Sequence, residues 1–291
     1  MRYGAVFPQA EIDRFDPDEV VAFVQRVEEA GYDHLLVYDH VLGADAAARP
    51  GWRGFYDSDD PFLEPLVLFS YLARSCTLEF TTGVMILPQR QTALVAKQVA
   101  TLEGLAPGRV RLGVGIGWNP VEYQALGVDF AERVARIEEQ IPLLRRLWAE
   151  PTLTHAGRYD TIHAAGIHPR PAGTVPIWIG CGAHPKALSR VGRLADGWLP
   201  MPDIQPQNGL EEAWAAVRAA AGEAGRDPAA LGLEGQIWVP PDRVAKVAER
   251  AAGWRHAGAT AVVINPLRAG ARWPDGHLDL LLQAADSLGL G

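Results

Sequence analysis

The chain has 291 residues, 48% of them hydrophobic and 21% charged, which suits one large globular domain well above the length at which core burial becomes marginal. A formal net charge of −8, with no run of lysine and arginine, argues against a dedicated nucleic-acid or anionic-membrane binder. The only cysteines, Cys76 and Cys181, stand far apart, so we expect no disulfide framework and no cysteine-based zinc site. The sequence shows no signal-peptide core and no apolar run approaching roughly 18 residues, so we expect a cytoplasmic protein.

Short apolar or β-branched runs alternate with longer amphipathic segments from one end of the chain to the other. This alternation is typical of repeated strand–helix units around parallel strands. Eight strands are predicted, at residues 3–7, 34–38, 78–85, 110–114, 176–180, 197–200, 233–239 and 261–265. Most of these runs are continuously apolar, as parallel strands covered on both faces should be. With no linker visible, the sequence predicts a single α/β domain over residues 1–291, a (β/α)8 TIM barrel.

The helices between the strands have recognisable ends. The first is predicted to begin after Asp16, which can cap it, with Pro17 in its first turn, and to stop at Gly31. Similar apolar stripes predict further helices at residues 94–102, 137–147 and 244–252.

Two insertions exceed ordinary loop length. Residues 41–61 follow the second strand and contain three aromatic side chains, Trp52, Phe55 and Tyr56. Because loops that leave a strand's carboxyl end build the active site of a barrel, this insertion is a candidate lid. Residues 150–175 precede the fifth strand, which favours a structural role for them. Their three histidines, at positions 155, 163 and 168, match no metal-ligand spacing, and we expect no metal site.

Asp39 and His40 directly follow the second predicted strand, where a barrel places active-site loops. An imidazole exchanges protons near neutral pH, and a neighbouring carboxylate can orient it. The pair is therefore a candidate for proton transfer. A structural cap at the strand end is an equal alternative.

The turn Gly180-Cys181-Gly182-Ala183 joins a buried strand to a helix predicted to begin at about Pro185. Free backbone N–H groups and the positive end of the helix dipole make such a turn suited to a phosphate. Lys186 either adds positive charge or faces solvent, and a tight turn without a ligand is the alternative. Another glycine-rich run, at 113–118, lacks the glycine spacing and the acidic residue of a dinucleotide fingerprint.

Eight segments, none decisive alone, form a recognisable order along nearly the whole chain. They are Tyr38-Asp39-His40, 82–90 with 96–98 and 101–102, 107–110, 112–118, 122–123, 126–127 with 132–133, 176–180 and 195–198. Together they resemble the luciferase-like monooxygenase superfamily, and within it the branch of oxidoreductases that use the deazaflavin coenzyme F420.

The resemblance implies an eight-stranded barrel with the cofactor ring over the strand ends. It implies a cis peptide bond between Gly83 and Val84, forming a bulge that backs the ring together with Ile86. It sets Asp39 and His40 beside the ring's reactive face, with His40 the better candidate for proton transfer. The turn at 180–183, with Lys186, would hold the cofactor phosphate.

The sequence departs from the sugar-phosphate dehydrogenases of this group at two positions. Ala44 stands where they carry an aromatic residue, and Trp118 stands where they carry a carboxylate, so a sugar-phosphate substrate is disfavoured. Trp118 joins the three lid aromatics as a predicted wall of the substrate pocket. Glu64, Glu122 and Arg133 match recurrent polar positions of the family, for which we expect structural roles.

The resemblance implies hydride transfer between C5 of F420 and an organic substrate, with His40 exchanging a proton. One alternative keeps the fold but uses reduced FMN and oxygen, as a monooxygenase. A second is a non-catalytic flavin-binding protein, and a metal-dependent barrel hydrolase ranks last. The expected partner is a small molecule, with neither nucleic acid nor membrane. Oligomeric state stays open, a homodimer being the commonest assembly.

Overall fold

The computed structural model describes residues 1–291 and contains eleven strands and nine α-helices. The strands are β1 (Arg2–Val6), β2 (His34–Val37), β3 (Glu79–Thr82), β4 (Met85–Ile86), β5 (Val110–Gly115), β6 (Leu153–Ala156), β7 (Thr161–Ala165), β8 (Ile177–Cys181), β9 (Gly197–Pro200), β10 (Gly232–Trp238) and β11 (Ala261–Asn265). The helices are α1 (Pro17–Glu29), α2 (Pro65–Leu72), α3 (Thr92–Leu105), α4 (Pro120–Ala125), α5 (Arg133–Ala149), α6 (Pro185–Leu194), α7 (Leu210–Glu223), α8 (Val247–His256) and α9 (Asp275–Leu288). No helix has both the length and the apolar character needed to cross a membrane.

One parallel sheet closes on itself. Around it the strands run β3, β2, β1, β11, β10, β9, β8, β5, and β3 also pairs with β5 to complete the ring. Strand β4 continues β3 after a break at residues 83–84 and pairs with β5. The predicted eight-stranded barrel is therefore confirmed, with each strand end within one residue of its predicted place.

Local sequence signals set the helix ends as expected. The carboxylate of Asp16 accepts hydrogen bonds from the backbone N–H groups of Asp18 and Glu19, and Pro17 occupies the first turn of α1. Gly31 follows the helix with a φ of +85°, a conformation that a residue with a Cβ adopts only under strain.

The amino-terminal half of the barrel interior is charged. Arg111 donates from Nε to Glu79 at 2.7 Å and also contacts Glu234, which lies 2.6 Å from Nε2 of His34. The guanidinium of Arg111 lies 4.5 Å from the ring centre of Trp178. Sequence analysis did not predict this network, because its members come from different strands that each look uniformly buried.

The insertion at 150–175 folds into the antiparallel hairpin of β6 and β7. Its tip is fastened to the helix layer, because the carboxylate of Glu139 accepts hydrogen bonds from the backbone of Arg158, Tyr159 and Asp160. The Asp160 carboxylate in turn accepts from the hydroxyl of Thr92 at 2.6 Å. These contacts agree with the structural role expected for this insertion.

Candidate active site

The predicted site residues collect at one rim of the barrel. Asp39 and His40 follow β2, Trp118 follows β5, and the turn at 180–183 ends β8. Because the strands are parallel, these positions share the carboxyl edge, where loop length and chemistry vary without disturbing the barrel. Two open surface cavities, of about 540 and 370 Å³, lie instead on the outer helices and contain no strand-end residue of this rim.

The imidazole of His40 is bound to a buried carboxylate. Its Nδ1 lies 3.0 Å from Oε1 of Glu122, in the first turn of α4, and the same oxygen accepts from the backbone N–H of Val41 at 3.0 Å. The second oxygen of Glu122 accepts from Nε2 of Gln89 at 3.1 Å. Burial alone would raise the pKa of Glu122, but the hydrogen bonds and charge of His40, with Gln89 and Val41, hold the pKa below its usual value.

An ionised Glu122 can only accept hydrogen bonds, so the proton of neutral His40 resides on Nδ1. The other ring nitrogen, Nε2, then carries a lone pair and has no protein partner at hydrogen-bond distance. The site therefore holds an oriented imidazole that can take up a proton at Nε2 and return it.

Asp39 is buried, with 3% of its surface exposed, and both of its oxygens are engaged. Oδ1 accepts from Arg90 at 2.9 Å, and Oδ2 accepts from the backbone N–H of Ile86 at 3.0 Å. Arg90 also lies 3.6 Å from Glu64, whose main contact is the cap it gives to α2. The Asp39 carboxylate thus ties the end of β2 to β4.

An aromatic cluster surrounds the imidazole. The ring centres of Tyr56, Phe62 and Trp118 lie 5.3, 4.7 and 5.6 Å from that of His40. Trp52 and Phe55 extend the cluster, at 5.9 and 5.7 Å from Trp118. All four predicted aromatics therefore belong to one cluster, in which Tyr56 and Trp118 contact His40, and the structure adds Phe62. The candidate lid places these rings over the barrel mouth.

The peptide bond between Gly83 and Val84 is cis, as the resemblance implies. The Val84 side chain packs between two strand-end glycines: a Cβ on Gly115 would lie 2.6 Å from Val84, and one on Gly180 would lie 2.7 Å from it. Neither glycine can therefore carry a side chain without moving Val84. The result is an apolar surface that Val84 forms over Gly115, at the end of β5, and Gly180, near the end of β8, and such a surface suits the face of a planar ring.

The turn at 180–183 leads into α6, whose first turn begins at Pro185 as predicted. His184 caps the helix by accepting from the backbone N–H of Lys186, while the Lys186 side chain is exposed. A Cβ on Gly182 would meet no atom nearer than 3.9 Å, so the turn has open space for a ligand. Burial raises the pKa of Cys181 to about 11, and the resulting neutral thiol does not repel an anion.

Several contributors escaped sequence analysis. Arg90 and Gln89 were noticed only as the end of a motif, and Glu122 was assigned a structural role without its partner. The only available signal was residue type. All three are polar residues that stand close to buried strand ends that contain no other charge. Arg133, also expected to be structural, stacks its guanidinium 3.7 Å from the Phe130 ring centre, outside this cluster.

Solved structures with this architecture span the full chain. An F420-dependent secondary alcohol dehydrogenase in complex with an F420-acetone adduct superposes with a TM-score of 0.78 at 19% identity, covering 99% of this chain and 98% of the other. A long-chain alkane monooxygenase superposes with a TM-score of 0.78 at 13% identity, covering 99% and 91%. At these identities the likeness concerns the fold.

Curated relatives are more similar in sequence. An F420-dependent glucose-6-phosphate dehydrogenase of Kineococcus radiotolerans is 33% identical over 196 residues, 66% of this chain and 54% of that protein. An F420-dependent hydroxymycolic acid dehydrogenase of Mycobacterium tuberculosis is 31% identical over 263 residues, 88% of this chain and 68% of that protein. The chain spans just over half the length of the glucose-6-phosphate dehydrogenase. A family model described as luciferase-like monooxygenase matches residues 3–278, and the chain belongs to that family.

Proposed function

We propose that this protein is an F420-dependent oxidoreductase that transfers a hydride between the deazaflavin C5 and an organic alcohol or carbonyl compound. The observation that carries the proposal is His40, which Glu122 fixes in one tautomer at the rim that also holds the Gly83–Val84 bulge, between β3 and β4. Relatives described as F420-dependent dehydrogenases, at 31% and 33% identity, support the choice of cofactor.

His40 is the proposed catalytic acid and base. In alcohol oxidation, Nε2 takes the hydroxyl proton of the substrate while its carbinol hydride leaves, and in the reverse direction the imidazolium returns that proton. Glu122 is a positioning residue, because it fixes the tautomer and stabilises the imidazolium without touching substrate. Asp39 also has a positioning role in this proposal, because Arg90 and Ile86 occupy both of its oxygens.

The cofactor fits the rim in two places. The surface around Gly83, Val84 and Ile86 would back its ring, and the backbone N–H groups of the turn at 180–183 would hold its phosphate, with Lys186 near enough in sequence to add charge. When bound, F420 supplies the site of hydride acceptance or donation. The chain supplies orientation, proton exchange and the exclusion of water.

The proposed substrate is neutral and partly apolar. Trp52, Phe55, Tyr56 and Trp118 form the wall beside His40, and rings of this kind bind apolar or cyclic groups. A sugar phosphate would need a cation in that wall. Arg268 contacts the wall at Tyr56, but its guanidinium is already bound to the Phe55 carbonyl of the lid.

An anaerobic titration with oxidised F420 and with FMN tests the assignment. We expect F420 to bind and to be reduced by one or more members of a panel of secondary alcohols. Tight FMN binding, turnover of the reduced FMN complex once oxygen is admitted, and no F420 binding would instead establish the monooxygenase alternative. Binding without turnover of any panel member or oxygen would support a flavin-binding protein.

Location and assembly are part of the proposal. Cys76 and Cys181 are both free thiols, which suits a reducing compartment such as the cytoplasm. A homodimer is the assembly to test first.

A further inference from the structure

The hydroxyl of Tyr38 lies in the barrel mouth between two amide side chains. Nε2 of Gln236, on β10, and Nδ2 of Asn265, at the end of β11, each lie 2.7 Å from it. Tyr38 immediately precedes Asp39 and His40. The trio of Tyr38, Gln236 and Asn265 therefore belongs to the same rim as Asp39 and His40. Nothing in the proposed reaction uses it.

Two donor-only groups fix the orientation of both amides. The indole N–H of Trp238 lies 3.1 Å from Oε1 of Gln236, and the backbone N–H of Leu267 lies 2.9 Å from Oδ1 of Asn265. Indole and backbone N–H groups can only donate, so the atoms that face them must be the amide oxygens. Both amides therefore present their NH2 groups to Tyr38.

The hydroxyl of Tyr38 consequently accepts two hydrogen bonds and can return its own proton to neither amide. No protein acceptor lies within hydrogen-bond distance in another direction. Burial raises the pKa of Tyr38, so the hydroxyl keeps its proton at neutral pH. The hydroxyl proton is therefore left for a bound acceptor, and a hydrogen bond of this kind contributes about 0.5–1.5 kcal/mol net.

The unused hydroxyl hydrogen of Tyr38 lies at the level of the Gly83–Val84 bulge. Side chains alternate along an extended chain, so Tyr38, which directly follows β2, lies on the same inner side as Leu36 and packs on the cluster that contains Leu36. Leu36 itself packs against Gly83, where a Cβ would lie 2.2 Å from it. Tyr38 and Gly83 therefore adjoin the same side chain, Leu36, and Tyr38 is partly exposed.

We propose that Tyr38 donates a hydrogen bond to a carbonyl oxygen of the bound F420 or FMN ring, held in position by Gln236 and Asn265. Both rings carry the same pair of carbonyl groups on their pyrimidine portion, so the inference is independent of which cofactor binds. The inference rests on the proposed function in one respect, namely that a ring of this type lies over the Gly83–Val84 bulge. No proton is transferred: Tyr38 is a binding residue that orients the ring.

Two variants remove the donated proton in different ways. Tyr38→Phe deletes the hydroxyl. Asn265→Asp keeps the hydroxyl but gives it a carboxylate acceptor, so the proton turns away from the ring. Tyr71→Phe, at a half-exposed tyrosine on α2, is the matched control. Dissociation constants for oxidised F420 and FMN are measured by fluorescence quenching, together with the shift of the ring's absorption band on binding and the melting temperature.

We expect both site variants to weaken binding of the accepted cofactor about tenfold and to reduce the band shift, with Tyr71→Phe unchanged. Weakening by only one of the two would overturn the inference, since it would indicate a packing or a charge effect. If the wild type binds a cofactor and both variants bind equally well, this inference fails and the proposed function stands. If the wild type binds neither, both fail together.

Discussion

The imidazole of His40 is oriented by a carboxylate 82 positions away in the sequence. An isolated imidazole at a strand end would interchange its two tautomers, and only one of them offers a lone pair at a given nitrogen. Glu122 removes that freedom, and its own pKa is held low by the contacts with His40, Gln89 and Val41 despite burial. Orientation and electrostatics are therefore set by the same hydrogen bond.

Replacing Glu122 by glutamine tests this coupling. Glu122→Gln removes the charge at constant size, so we expect the kcat/KM of the alcohol found in the panel to fall about 10²–10⁴-fold, with F420 affinity nearly unchanged. Nitrogen NMR of His40 supplies a second readout, because the wild type should show the Nδ1–H form and the variant a mixture. Glu138→Gln, which removes a charge from an ion pair between α5 and α6 outside the site, is the control. A pure Nδ1–H spectrum in Glu122→Gln would contradict the assignment.

At the scale of elements, the candidate lid is fastened by one arginine from the loop after β11. Arg268 donates to the backbone carbonyl of Phe55 at 2.8 Å, and its guanidinium lies 5.4 Å from the ring centre of Tyr56. Its own backbone has a φ of +58° and donates to Glu11 at 2.7 Å, and Glu11 also contacts His277. The lid is thus connected to the loops that follow β1 and β11, the next two strands after β2 around the ring.

Arg268→Ala should loosen the lid. Loss of one hydrogen bond and one cation–π contact amounts to about 1–2 kcal/mol of local stability, or about a 5- to 30-fold faster amide exchange across residues 41–61. Hydrogen-exchange mass spectrometry measures this directly. Arg272→Ala, at an exposed arginine of the same loop, should leave exchange unchanged. Equal exchange in both variants would show that Arg268 does not hold the lid.

A methyl group on Gly180 should disturb the ring-backing surface. The new Cβ would lie 2.7 Å from Val84, so either the valine or the end of β8 must shift, and we expect Gly180→Ala to weaken cofactor binding about tenfold or more. Gly104→Ala is the control: this glycine is in α3 with no atom within 4 Å of the added Cβ, and alanine there favours the helix by roughly 1 kcal/mol. Unchanged cofactor affinity in Gly180→Ala would mean that Val84 does not define the surface.

At the scale of the whole molecule, the sequence predicts the barrel well because its signal is repeated. Each buried run has a helix beside it, and parallel strands that close a barrel leave their carboxyl ends together, so His40 and the turn at 180–183 were predicted to share one rim. The partners of these residues were not predictable. Glu122 and Arg111 face inward because of the register and tilt of their elements. The hydrophobic periodicity of the sequence does not determine either quantity.

The charged interior of the barrel is the least predictable feature and has a testable consequence for the whole fold. Burial alone would raise the pKa of Glu234, but the charges and hydrogen bonds of Arg111 and His34 outweigh it and lower the pKa from 4.5 to about 2. The ionised carboxylate therefore stabilises the fold fully above about pH 4.5. That stabilisation is lost as the pH falls through the window from 4.5 to 2.

Glu234→Gln should lower the free energy of unfolding at pH 7 by about 3–5 kcal/mol, because it leaves Arg111 buried beside one fewer negative charge. The deficit relative to wild type should then shrink by up to about 1.4 kcal/mol for each pH unit below 4.5, since the wild type loses the same interaction by protonation. Urea unfolding at pH 7, 4 and 3 measures both quantities, with Glu211→Gln on the exposed face of α7 as control. A deficit that is constant across these pH values would mean that Glu234 contributes by its shape and not by its charge. The interior network would then stabilise the fold by packing against Trp178 and not by electrostatic attraction.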